Sequence, residues 1–121
     1  MSNSILISIK KLLGISSDYT AFDTDIIINI NSTFMILHQL GIGPEEGFKI
    51  TGEKERWDDF IEDEDNLEAI KSYIYLKVKV IFDPPLNSSV LEANKQMISE
   101  LEWRLNVQKE NKEEDEWYVA I

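Results

Sequence analysis

Residues 71–85 read KSYIYLKVKVIFDPP, and the fold turns on whether this stretch is a strand or a helix. Leu76, Val78, Val80 and Phe82 alternate with Lys77, Lys79 and Ile81, as on a half-buried strand. Read from Leu67 to Phe82 at about 100° per residue, another order emerges. Leu67, Ile70, Ile74, Val78 and Ile81 form one stripe, and Ala69, Tyr73, Leu76 and Val80 form a second beside it. Glu68, Lys71, Ser72, Tyr75 and Lys79 share the opposite face. A strand would explain nothing before Tyr73, and its only partner would be FKITG at 48–52. The spacing therefore predicts a central helix over 67–82, packed on two sides. Pro84 and Pro85 end it, because proline disfavours helical geometry at the preceding Asp83 and donates no backbone hydrogen bond. Lys77 breaks the pattern, pointing between the two apolar stripes. A buried ammonium without a partner is costly, so Lys77 is expected either to snorkel outward or to meet an acid such as Glu100 or Glu102.

Further helices flank this one. Ile5, Ile9, Leu12 and Leu13 predict one face of a short first helix stopped by Gly14. A second opens at Asp23, whose carboxylate can accept from first-turn amides, with Phe22 and Ile27 at staple positions. Ile26, Ile30, Phe34, Met35 and Leu37 fill its apolar face, Gly41 ends it, and His38 lies in its last turn. GIGPEEG is a turn segment. In the acidic stretch 53–68, Trp57 and Phe60 are spaced to pin a helical turn onto the core. Asp65 with Glu68, and Ser89 with Glu92, have capping-box spacing. Leu91, Ile98, Leu101 and Leu105, with Asn94 in the same stripe, mark the last helix. Trp103 lies off that stripe, placed to meet Trp57 or a partner. After Asn106 the chain changes character: QKENKEEDE has nothing to bury, and WYVAI follows. The expectation is a mainly α chain, a small bundle of four to five helices with a short strand or hairpin near 48–52. Residues 1–107 form one helical domain, and 108–121 a flexible acidic tail with an apolar end.

The chain has 121 residues, 43% of them apolar, which suits one small domain with a core. It has no cysteine, which excludes disulfides and thiolate chemistry. Acids outnumber bases 23 to 12, for a net charge of −11, so the chain should repel rather than grip a phosphate backbone. No window approaches the roughly 20 apolar residues of a membrane span. There is no glycine-rich phosphate loop, no H-E-x-x-H and no nucleophile elbow. A single histidine cannot build a metal site, and EDED at 62–65 lacks the glycine and ligand spacing of a calcium loop. No enzyme activity, metal or cofactor is expected. Trp117, Tyr118, Val119 and Ile121 are the candidate contact anchors, since Trp and Tyr dominate interface energetics. Folding back on the chain's own core is the other expectation for them.

The sequence resembles small head–tail connector proteins of long-tailed bacteriophages, also described as adaptor, head-completion or DNA-packaging proteins. The likeness spans roughly residues 4–107. It rests on ILISIKKLLGI at 5–15, AFDTDIIININSTFMILHQLGIGP at 21–44, WDDF at 57–60, IKSYIYLKVKVIFDPP at 70–85 and ELEWRLN at 100–106. None of these motifs is catalytic. The resemblance implies a helical virion protein at the capsid vertex. Such a protein is expected to form a ring, usually twelvefold, beneath the portal protein, extend the DNA channel without binding DNA specifically, and offer a platform to a stopper or tail-completion protein. It is expected to assemble in the host cytoplasm, to start as a monomer before a portal is present, and to involve no membrane.

It also implies that the segment ending in Trp117–Ile121 can reach the portal. Ring contacts are expected where acids at Glu62 and Asp63 meet Lys10, Lys11 or Arg104 of the next copy. The other function class is an acidic DNA mimic that binds and inhibits a basic protein.

Overall fold

The computed structural model describes residues 3–61 and 66–120, with side chains described as far as 107. Among these described residues five helices follow one another: α1 (Ile5–Leu12), α2 (Asp23–Gln39), α3 (Trp57–Phe60), α4 (Leu67–Phe82) and α5 (Ser88–Ala120). The stretch 71–85 is helical up to Phe82, and α4 has the bounds its double stripe predicts. Ile70, Tyr73, Ile74 and Val78 are fully buried. Helix α4 is central, packed against α2, α5 and α1. Burying each of those side chains contributes on the order of 1.5–3 kcal/mol, so this helix organises the core. The Asp83 backbone N–H still bonds to Lys79, and the two prolines then take the chain out of the helix.

Several apolar positions differ from their expected burial. Leu12, Met35 and Ile81 are exposed, at 51%, 63% and 62%. On α1 the buried set is Ile5, Leu6, Ile9 and Lys10. That set rotates the inward face away from Leu12 and puts a lysine inside. On α2, Ile26, Ile30, Thr33, Phe34 and Leu37 are buried, and Met35 falls outside their arc. Ile81 lies in the last turn of α4, where the bundle no longer covers that side.

The caps also differ. Ser4 caps α1, its hydroxyl accepting from the Ile7 N–H. Asp23 opens α2 without a side-chain cap, because its carboxylate is drawn to Lys10 instead. Phe22 packs edge-on against Tyr19 and Phe82, with ring centroids 5.5 and 5.3 Å apart. Asn87, not Ser89, caps α5: its Oδ1 accepts from the N–H groups of Ser89 and Val90 at 2.8 and 3.3 Å. Helix α4 has no side-chain cap, and Asp65 lies outside the described residues.

The strand expected at 48–52 does not form. Asn31 of α2 takes the place of a strand partner. Its side-chain amide donates to the Ile50 carbonyl at 2.9 Å, and its Oδ1 accepts from the Ile50 N–H at 2.8 Å. Ile50 is thereby pinned inward and buried. Extended pairing occurs one turn later instead, as an isolated antiparallel bridge between Ser4 and Arg56. Ile5 N–H donates to Glu55, and Trp57 N–H donates to Asn3. Trp57 and Phe60 are buried as their spacing predicts. Phe34, Phe48 and Phe60 form an aromatic trio with centroids 4.7–5.4 Å apart. Gly43, at φ +92°, lies against the Phe60 ring, where any Cβ would overlap it. The helical backbone of α5 continues past Asn106 to Ala120.

Candidate interaction surfaces

Two lysines fall in apolar stripes, and their surroundings differ. Lys10 is 1% exposed. Its Nζ donates to the carbonyls of Tyr19 and Ser17 at 2.7 and 3.3 Å, and lies 2.8 Å from Asp23 Oδ1. That last contact is an ion pair rather than a well-angled hydrogen bond, since Oδ1 accepts none. Asp23 is 20% exposed, so the pair is largely sheltered from solvent. The loop 15–22 wraps over the lysine head and supplies the carbonyls, tying α1 to the start of α2. Lys10 is thus occupied inside the molecule and has no exposed ammonium to offer a neighbouring copy.

Lys77 is half-buried and, among the described residues, makes no hydrogen bond or ion pair. The two acids expected to meet it are engaged elsewhere. Glu100 pairs with Arg104 at 2.6 Å, and Glu102 accepts from the Tyr73 hydroxyl at 2.8 Å. Burial first, then the bonded Glu102 carboxylate, pushes the Tyr73 phenol well above its ordinary value. Lys77 borders a groove of about 280 Å³ between α4 and α5, with Val80, Ile81, Lys95 and Ile98 along it. This is below the usual range of ligand pockets, roughly 300–1,000 Å³, and suits side chains rather than a cofactor.

The groove continues into an exposed apolar face. Ile81 also borders a second shallow depression with Phe22, Ile28 and Phe82, so the ends of α2 and α4 share one surface. Trp103 is 64% exposed on α5 and stands apart from the buried Trp57. Trp57 instead donates its indole N–H to Ser8 at 3.2 Å, with Lys71 over its ring. Periodicity alone missed this surface because Ile81 and Ile28 looked like core residues or neutral helix positions. The signal was an apolar residue in the last turn before a double proline, where no further helix covers it.

Of the other expected contact residues, Lys11 and Arg104 are exposed, and Arg104 is held by Glu100 on its own helix. Glu62 and Asp63 lie outside the described residues, as do the side chains of Trp117, Tyr118, Val119 and all of Ile121. Among the described residues, no group of three or more His, Cys, Asp or Glu is gathered as a metal site would need. His38 lies beside the Glu45 carbonyl at 2.8 Å and closes the turn after α2. Among those same residues, no helix is long and apolar enough to cross a membrane.

No curated protein and no solved structure matches the chain. A family model described as phage connector protein matches residues 5–112, from the first residue of α1 into the overhanging part of α5. That span takes in every buried residue of the core from Ile5 onward and both grooves, so it is on the whole helical body that the chain belongs to the phage connector protein family.

Proposed function

We propose that the chain is a structural, non-enzymatic component of the phage neck, forming a ring beneath the portal that extends the DNA channel and joins head to tail. The observation that carries this reading is the family match across the helical body. Two features of the chain support it. The exposed apolar residues Ile28 and Ile81, which share one surface, and Trp103 on α5 offer apolar area for contact with a neighbouring chain. Ring neighbours meet through heterologous contacts, which use different patches on the two copies. A net charge of −11 lets DNA pass a channel wall without adhering, because affinity for the phosphate backbone comes from Lys and Arg.

In this reading the segment 108–121 is a contact element that reaches another chain, with Trp117, Tyr118, Val119 and Ile121 as its anchors. The partners are the portal protein on one side and a stopper or tail-completion protein on the other. The test is a phage carrying a stop codon early in this reading frame. DNA-filled heads and free tails that fail to join are expected. Normal infectious particles would reject the role. A DNA mimic would instead leave particles intact and be recovered bound to a basic protein.

A further inference from the structure

The groove beside Lys77 has a feature its own chain does not complete. Its floor is apolar, from Val80, Ile81 and Ile98, and its edge carries the ammonium groups of Lys77 and Lys95 beside the Glu102 carboxylate, which the Tyr73 hydroxyl already engages. Among the described residues, Lys95 has a loose contact, 3.7 Å, to Glu92 on its own helix, and Lys77 has no partner. In a chain of net charge −11, an edge with two ammonium groups to one engaged carboxylate runs against the overall charge. It fits a segment in which carboxylates run directly into large apolar side chains.

The chain contains one such segment. Glu113, Glu114, Asp115 and Glu116 lead straight into Trp117, Tyr118, Val119 and Ile121. It cannot return to the groove of its own molecule while α5 remains helical. Among the residues whose side chains are described, Leu105 is the last buried one on α5, and the helical backbone continues to Ala120. At 1.5 Å per residue, that carries residues 117–120 roughly 20 Å beyond the body along the helix axis.

We propose that the Lys77–Ile81 groove between α4 and α5 is the seat for residues 113–121 of a second copy of this chain. The carboxylates pair with Lys77 and Lys95, and the aromatic anchors cover Ile81 and the adjoining Phe22 and Ile28. The contact is heterologous, groove to tail, so it propagates from copy to copy as a ring requires. This deepens the neck reading, because it names the partner of the C-terminal contact element.

The chain's lack of cysteine allows a direct test on the full-length protein. Ile81→Cys and Trp117→Cys chains are prepared separately, mixed, and treated with a short bis-maleimide. Neighbours held in a ring experience effective concentrations in the millimolar range, so the mixture is examined up to about 1 mM. A cross-linked heterodimer is expected, well above that from a control pair using Leu12→Cys with Trp117→Cys. Lys77→Glu in the Ile81→Cys chain should lower its yield roughly tenfold. Asp115→Lys in the partner should restore part of it. Three results would overturn the proposal: no heterodimer above the control at about 1 mM, a yield indifferent to Lys77→Glu, or cross-linking within a single Ile81→Cys/Trp117→Cys chain. The test uses only this chain, so its failure leaves the neck role standing. A tail that cross-links to portal protein and never to Ile81 would likewise overturn the groove assignment alone.

Discussion

Lys10 and Lys77 each interrupt an apolar stripe of a helix, yet Lys10 is enclosed by two carbonyls and the Asp23 carboxylate, whereas Lys77 borders an open groove with no partner among the described residues. The difference follows from what lies next to each helix. Helix α1 is followed by a loop long enough to fold over the lysine head. Helix α4 is followed by Asp83-Pro84-Pro85, which leads the chain away, and by α5, whose nearby acids are already engaged. One lysine closes a corner of the core; the other leaves a cationic edge on the surface.

The comparison breaks most readily at Lys10. Lys10→Met removes one partner of a sheltered ion pair and leaves Asp23 and two carbonyls without their donor. A loss of about 3–5 kcal/mol in urea unfolding is expected. A loss below 1 kcal/mol would show that the corner is solvated. Next comes Asn31, which holds the 48–52 segment in place of a strand. Asn31→Ala leaves the Ile50 backbone groups unpaired and should cost about 1–3 kcal/mol, measured the same way. Exposure of the loop to limited proteolysis should rise with it.

Tyr73→Phe tests the buried floor behind the groove, and about 1 kcal/mol is expected from the lost bond to Glu102. Its pH dependence is more specific. Tyr73 is held protonated in the folded chain above its ordinary value of 10.0. Its contribution is therefore complete below pH 10 and falls as pH rises above it, when the unfolded chain releases the proton first. The native chain should lose stability above pH 10 more steeply than Tyr73→Phe, by up to about 1.4 kcal/mol per pH unit. Equal slopes would contradict a raised Tyr73. The smallest effect is expected at Lys77. Lys77→Met removes no bond and should change stability by no more than about 0.5 kcal/mol. A large loss there would mean that Lys77 is satisfied within its own chain.

Much of this architecture was legible in the sequence. Leu67–Phe82 was readable because a buried helix with two neighbours needs two adjacent stripes, and the double proline fixed its end. Asp23 and Gly41 bounded α2 in the same way. The missing pieces are contacts that local spacing does not encode. Asn31 and Ile50 are 19 residues apart, and a side-chain amide substituting for a strand leaves no period to detect. Lys10 sits at the position on α1 where a leucine would complete the face with Ile5, Leu6 and Ile9. A lysine among apolar neighbours needs a partner there as much as at Lys77. Ile81, Met35 and Leu12 were read inward because periodicity shows which face is apolar but not where the neighbouring helix ends. The family likeness was readable along the chain, whereas the groove depends on α4 and α5 meeting in space.

The account rests on the chain being a stoichiometric part of the virion neck. Quantitative mass spectrometry of purified particles, with the portal protein as the internal reference, measures this directly. The account predicts that the chain is retained in tailed particles in whole-ring proportion to portal, and is lost when heads and tails are separated below the portal. Particles that are infectious and tailed but contain none of the chain would contradict it.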